Sequence, residues 1–152
     1  MIPNEELAYL AGFFDGEGSI IYAKRRSQTT GGYKHSNITH YYAIEVQLGQ
    51  CDEYHPRLFQ SYFGGSVTHV KPLNEKWHEY WAWRVASKQA YHFLKVITPY
   101  LRLKQPQAKL ALDIQERKFE RNYRKRTDEQ VVLEEADRIL MQNLNKPPVD
   151  MR

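Results

Sequence analysis

The string "LAGFFDGEGSI", residues 10–20, sets two carboxylates, Asp15 and Glu17, among glycines at what reads as the end of a helix. Aligned peptide dipoles leave partial negative charge at a helix C-terminus, so Lys, Arg or His is favoured there and acids are mildly disfavoured. A pair of acids in that place is either an acidic turn, since glycines end helices and Asp-Gly starts hairpins, or part of a cation site. Other familiar chemistry is missing from the sequence. The six histidines form no HExxH pair, and there is no GxxxxGK phosphate loop and no nucleophile elbow. The single cysteine, Cys51, excludes an internal disulfide and a multi-cysteine metal cluster.

The elements that must position these acids follow from periodicity. Leu7, Leu10, Ala11 and Phe14 recur at helical spacing, which predicts a helix over 4–15 with Asn4 as its N-cap. Ala8 and Gly12 leave one face of it with small residues, where a second helix could approach closely. "SIIYAKR" and "HYYAIEVQL" read as strands, the second with Ile44, Val46 and Leu48 inward, joined by a long polar loop over 26–39. "DEYHPRLFQSYFGG" reads as a helix with Tyr54, Leu58, Phe59, Tyr62 and Phe63 at helical spacing, stopped by Gly64 and Gly65. A second hairpin, "SVTHVK" and "EYWAWRV", precedes a helix that Ser87 can cap, with Ala90, Phe93, Leu94 and Ile97 inward. Residues 105–126 and 128–144 read as two further helices. This order predicts an α+β domain, an antiparallel sheet with helices packed on one face.

Composition narrows the partner. The 152 residues are most simply a single domain, and the net charge of +4 comes with eleven tyrosines and three tryptophans. A basic, aromatic-rich chain leans toward nucleic acid. The longest apolar run, Leu7 to Phe14, is too short to cross a bilayer and follows no basic segment, so a soluble protein without signal peptide or membrane partner is expected.

"LAGFFDGEG" resembles the LAGLIDADG motif of homing endonucleases, letter for letter at Leu10, Ala11, Gly12, Asp15 and Gly18. Gly16 stands where the motif has alanine, and Glu17 where it has its second aspartate. The helix-strand-strand-helix-strand-strand-helix order is similar to that family's core, and "LRLKQPQAKL" resembles a lysine-containing segment of its single-motif members, though Pro106 interrupts it. The resemblance implies a four-stranded antiparallel DNA-binding sheet with extra C-terminal helices. It also implies a site-specific, metal-dependent endonuclease that cuts both strands of double-stranded DNA at a near-palindromic target as a homodimer. An RNA-splicing maturase acting on intron RNA, or a non-cleaving DNA-binding protein, is the alternative on the same fold.

What the resemblance implies for single residues can be stated in advance. The motif helices of two subunits would cross at Ala8, Ala11 and Gly12. Two Glu17 carboxylates held ~6 Å apart would then repel by roughly 3 kcal/mol at an effective dielectric of 20, which a divalent cation relieves. Mg²⁺ or a similar hard cation would be bound by Glu17 and the Gly16 carbonyl. For Asp15, a helix-end hydrogen bond and a metal contact stay open. Lys104 would neutralise charge on the phosphate, and Gln50 or, in competition, Gln47 would organise water. With Ser19, Ile21, Ala23 and Arg25 outward on the first strand and Tyr41, Glu45 and Gln47 outward on the second, Arg25, Arg26, Gln28, Lys34, His35, Gln47, Lys71 and Arg84 are candidates for reading DNA, where Gln suits adenine and Arg suits guanine.

Overall fold

The structure, a computed structural model, describes residues 1–28, 38–121 and 126–147. Its elements run α1 (Asn4–Glu17), β1 (Gly18–Gln28), β2 (Ile38–Gln50), α2 (Tyr54–Phe63), β3 (Ser66–Val70), β4 (Tyr80–Ala86), α3 (Ser87–Ile97), a 3₁₀ turn (Thr98–Tyr100), α4 (Gln105–Glu120) and α5 (Asp128–Leu144). The strands form one antiparallel sheet in the order β1-β2-β4-β3. The α+β arrangement expected from the sequence is the observed one.

Alternation along the strands assigns the two faces. Ile20 and Tyr22 of β1, Ile44, Val46 and Leu48 of β2, and Trp83 and Val85 of β4 are buried beneath the helices. Register aligns them in rows: Ile20 pairs with Val46, which pairs with Val85, and Leu48 pairs with Trp83. At the centre Phe14, Phe59, Phe63, Trp83 and Phe93 pack edge to face or tilted, with Phe63 and Phe93 centroids 4.8 Å apart. Phe14, Phe59, Trp83 and Phe93 are fully buried, and each such ring contributes on the order of 2 kcal/mol in area removed from water. The Trp83 indole N–H donates to the Gly64 carbonyl (2.8 Å), so the ring that joins α2, β4 and α3 leaves its one polar atom satisfied.

Several local expectations change. The first helix runs on to Glu17 and passes straight into β1 without a loop. Gly18 makes this possible: a Cβ there would lie 2.1 Å from the Phe14 ring, so the strand can start directly over the core aromatic only with glycine. Asn4 is not a cap; it lies inside the first turn, and its Oδ1 accepts from the Tyr100 hydroxyl (2.9 Å), tying the start of α1 to the 3₁₀ turn. Ser87 does not cap α3 either: it is the first residue of the helix, in the left-handed region at φ 49, with Ala86 in the cap position and no side-chain cap hydrogen bond. Tyr54 and Tyr62 of α2 point to solvent, because Pro56 and Phe59 occupy the buried side.

Arg117 and Lys118 at the end of α4, and Arg126 before α5, are turned toward the body of the protein. Arg117 pairs with Asp137 (3.0 Å) and Arg126 with Glu134 (2.6 Å), both of α5, while Lys118 donates to the Tyr42 carbonyl and lies over the Tyr22 ring. Burial pushes the Lys118 ammonium down to about 8, against the attraction of Glu134. These pairs fasten α5 alongside β1, where Asn145 donates to the Ile20 carbonyl (2.9 Å) and Tyr42 donates to Glu135 (2.5 Å). The β1 edge of the sheet thereby lies against α5. Among the described residues no helix is long and apolar enough to cross a membrane.

Candidate active site and nucleic-acid face

All of the packed helices leave one sheet face open. Ser19, Gln47, Arg84 and Ser66 form a single cross-strand row on it, through the pairs Ser19 with Gln47, Gln47 with Arg84, and Arg84 with Ser66. The Arg84 guanidinium donates to Gln47 Oε1 (3.1 Å) within that row. Beside it Gly49, Ala82 and Thr68 form a row of small residues, so the surface dips into a groove of about 470 Å³. Glu17 lines the same groove, with Ser19, Thr68, Tyr80 and Arg84. The acid at the end of α1 therefore opens onto the face that carries the outward polar side chains.

The neighbouring acid has a different use. Asp15 Oδ2 accepts from the Arg102 amide (2.7 Å) and Oδ1 from the Lys104 amide (2.9 Å), while the Lys104 ammonium donates back to the Asp15 carbonyl. Hydrogen bonds to a carboxylate are roughly twice as strong as neutral ones, so Asp15 fixes the short segment between the 3₁₀ turn and α4. That segment holds Lys104 behind the end of α1. Partial burial lowers the Lys104 pKa, opposed by the Asp15 and Glu17 charges that favour the ammonium. Of the two roles open to Asp15, the observed contacts are hydrogen bonds, made within the protomer to the α4 approach.

A cation fits the remaining donors by their chemistry. The exposed Glu17 carboxylate and the Gly16 backbone carbonyl are hard oxygen ligands on adjacent residues at an open helix end, the kind that Mg²⁺ takes together with water and phosphate oxygens. Among the described residues no group of three or more His, Cys, Asp or Glu could hold a metal ion by itself, so one chain offers only part of a coordination shell.

The other candidates divide by face. Arg25 lies on the open face, where its Nε and Nη2 donate to the two oxygens of Glu45 at 2.9 and 2.6 Å. This bond and the Glu45 charge raise the Arg25 pKa. Arg26, one residue on, shares the parity of Tyr22 and Lys24 and so belongs to the helix-side face, which corrects its grouping with Arg25: a one-residue step in a strand reverses the side-chain direction. Gln47 is on the open face, whereas Gln50 has the parity of Leu48. The register that pairs Gly18 with Leu48 carries Gln50 past the start of β1, where its partner is Trp81 of β4, and it is Gln47 that lines the groove with Glu17. Lys71 is exposed just after β3. Gln28 closes β1; its side chain, like Lys34 and His35, lies outside the described residues.

On α1, Ala8 and Gly12 are exposed, and a Cβ at Gly12 or Gly16 would meet nothing within 4 Å, so this face is open in the protomer. Ala11 is corrected: it is fully buried against the core, on the stripe of Leu7, Leu10 and Phe14, and is not available to a second helix. The sequence alone puts Glu45 on the outward face and Tyr80 on the parity of Arg84 without giving either a role, and it does not mark Ser66 or Thr68. The parity of each strand marks all of them once the buried rows are known.

Comparison with known proteins agrees with this geometry. The sequence model of the LAGLIDADG endonucleases matches residues 10–119, from the motif to the end of α4. No curated relative matches. Among solved structures, the chain is similar to the homing endonuclease I-CvuI in complex with its target in the presence of Ca (19% identity, TM-score 0.69, covering 95% of this chain and 85% of that one). It is also similar to the archaeal intron-encoded homing endonuclease I-Vdi141I complexed with DNA (13% identity, TM-score 0.71, 95% and 87%). The I-SmaMI LAGLIDADG homing endonuclease bound to cleaved DNA matches at 17% identity and TM-score 0.67, but 96% of this chain spans only 48% of that one. With the family model covering most of its length, and Glu17 of the motif set at the mouth of an open-faced sheet, the chain belongs to the LAGLIDADG endonuclease family, DNA endonucleases by class.

Proposed function

We propose that the protein is a Mg²⁺-dependent homing endonuclease that binds a long, near-palindromic DNA site as a homodimer and hydrolyses one phosphodiester in each strand. The observation that carries this reading is the shared groove: Glu17 and the outward rows of the sheet line one concave surface. A twisted antiparallel sheet of this kind can lie in a major groove, with Gln47 and Arg84 at base edges and Arg25 further along β1. Lys71, Lys34 and His35 would add contacts at the rim, to phosphate or base.

Dimerisation follows from the number of acids. One chain supplies one Glu17, and cutting both strands calls for two. The open Ala8–Gly12–Gly16 face of α1 lets the same helix of a second copy pack against it about a two-fold axis. The half-length match to I-SmaMI supports a working unit of two such folds. The crossing would bring both Glu17 side chains to one floor beneath the DNA.

The residues then divide the work. Glu17 and the Gly16 carbonyl would hold the cation, which supplies Lewis acidity toward the phosphate and a water of lowered pKa. Lys104, positioned by Asp15, sets a positive charge where the pentavalent phosphate gathers negative charge. Gln50, at the end of β2, or Gln47, which lines the groove with Glu17, would orient a water.

The test is cleavage of a duplex library by wild type and by Glu17→Gln, with Mg²⁺ and then with EDTA. Wild type should cut a small set of near-palindromic sequences only with Mg²⁺, and Glu17→Gln should bind that set within a few-fold of wild type without cutting it. Cleavage by Glu17→Gln at a near wild-type rate would remove Glu17 from the site.

A further inference from the structure

Glu45 is an anion on the face that would meet the most anionic of ligands. It is nearly buried, its side chain 9% exposed against 44% for Arg25. It lies in β2 between Ile21 of β1 and Ala86 of β4, so no polar side chain stands directly beside it. Its oxygens accept from Arg25 Nε (2.9 Å) and Nη2 (2.6 Å), a side-on fork. Such a pair contributes little to fold stability at a surface. Its effect on a ligand is larger. A free arginine side chain samples many rotamers and can reach phosphate as readily as base, whereas a forked partner holds the guanidinium plane in one orientation.

The donors left over decide what that orientation recognises. Glu45 takes the Nε–H and one N–H of Nη2, which leaves both N–H groups of Nη1 and the second of Nη2. The remaining end-on edge is two parallel donors with no acceptor. In the major groove guanine offers two adjacent acceptors, O6 and N7, while adenine pairs its N7 acceptor with an N6 donor and cytosine presents a donor. We propose that Glu45 is a specificity-determining positioning residue, which holds Arg25 so that its end-on edge selects guanine at one base pair in each half of the target. This rests on the open sheet face being the DNA interface. Glu45 acts through Arg25 and touches no base, and its carboxylate also offsets the attraction of Arg25 for phosphates, lowering affinity for unrelated DNA.

The experiment is equilibrium selection from a duplex library randomised across the half-site, in EDTA so that nothing is cut, with wild type, Arg25→Ala, Arg25→Lys, Glu45→Gln and the Arg25→Ala/Glu45→Gln double variant. Thermal melting of each variant checks that the fold is kept. Wild type should prefer guanine at one position per half-site by about tenfold or more, the range of a good bidentate contact. Glu45→Gln should lose most of that preference at the same position and bind random DNA several-fold more tightly. Arg25→Lys keeps a cation for Glu45 but has no fork, and should lose the preference without the gain in random-sequence affinity. The double variant should match Arg25→Ala in base preference. A preference untouched in Glu45→Gln overturns the proposal, as does an added loss in the double variant, which would mean that Glu45 contacts a base itself. If wild type retains no duplex at all, the DNA-interface reading fails with it, an outcome distinct from specific binding that ignores Glu45.

Discussion

Asp15→Asn separates a positioning carboxylate from a metal ligand. The substitution keeps the size and one acceptor oxygen but turns an NH₂ group toward either the Arg102 amide (2.7 Å) or the Lys104 amide (2.9 Å), replacing an attraction by two facing donors. A hydrogen bond to a charged acceptor is worth ~1.5–3 kcal/mol net, and Asp15 is only half-buried, so the lower end applies and the variant should lose about 2 kcal/mol of stability. For a chain of this length that is a fall in Tm of about 4–8 °C. The segment carrying Lys104 would lose its anchor, and a displacement of about 1 Å at a catalytic group costs on the order of 10²-fold in rate. Single-turnover cleavage with protein in excess, across a Mg²⁺ titration, reads both roles at once. The expected result is a cleavage rate reduced 10–100-fold at every Mg²⁺ concentration, with the half-saturating Mg²⁺ within about threefold of wild type. A normal rate reached only at tenfold or more Mg²⁺ would refute this and make Asp15 a ligand.

Lys104→Met should slow turnover by a larger factor than it weakens DNA binding, since its charge acts on the transition state; equal losses in rate and affinity would mark it as a phosphate anchor. Gly12→Leu has room in the protomer, where a Cβ at Gly12 meets nothing within 4 Å, and improves helix propensity by about 0.8 kcal/mol. Its folded monomer should therefore melt no lower than wild type while light scattering shows no dimer and cleavage is lost; a fully active monomer on DNA would overturn the two-acid site. Affinity should fall steeply between 50 and 200 mM salt as counterions are released, and a flat response would exclude an extended phosphate contact. Lys118 has a folded pKa near 8, below its unfolded value of 10.5, because burial disfavours its charge. The unfolded chain thus binds more protons between those values, and this residue's contribution to stability rises as pH goes from 8 toward 10.5. Urea unfolding at pH 7.5 and 9.5 should show that rise in wild type and its absence in Lys118→Met. Burial also raises the Tyr22 pKa, which opposes further gain once pH passes about 10.

The parts of this protein written in local pattern were legible before any coordinates. The stripe Leu7, Leu10, Ala11 and Phe14 and the alternation of Ile44, Val46 and Leu48 each arise from one element's own period, so the sequence determined these elements and which face of each is buried. The motif around Asp15 and Glu17 was equally local, and so was its chemistry. What a single period cannot encode is a contact between distant elements. That Asp15 is taken up by amides 87 and 89 residues away, leaving Glu17 to face the groove, depends on where the approach to α4 returns to α1. The same holds for Arg117 and Arg126, which meet Asp137 and Glu134 only because α5 packs back against them. Ala11 and Gly12 are adjacent small residues with opposite fates, because 100° of helical turn puts one on the core and the other on an open face. Arg25 and Arg26 part in the same way on β1, and the partner that fixes Arg25 sits in another strand, at a register set by the whole sheet.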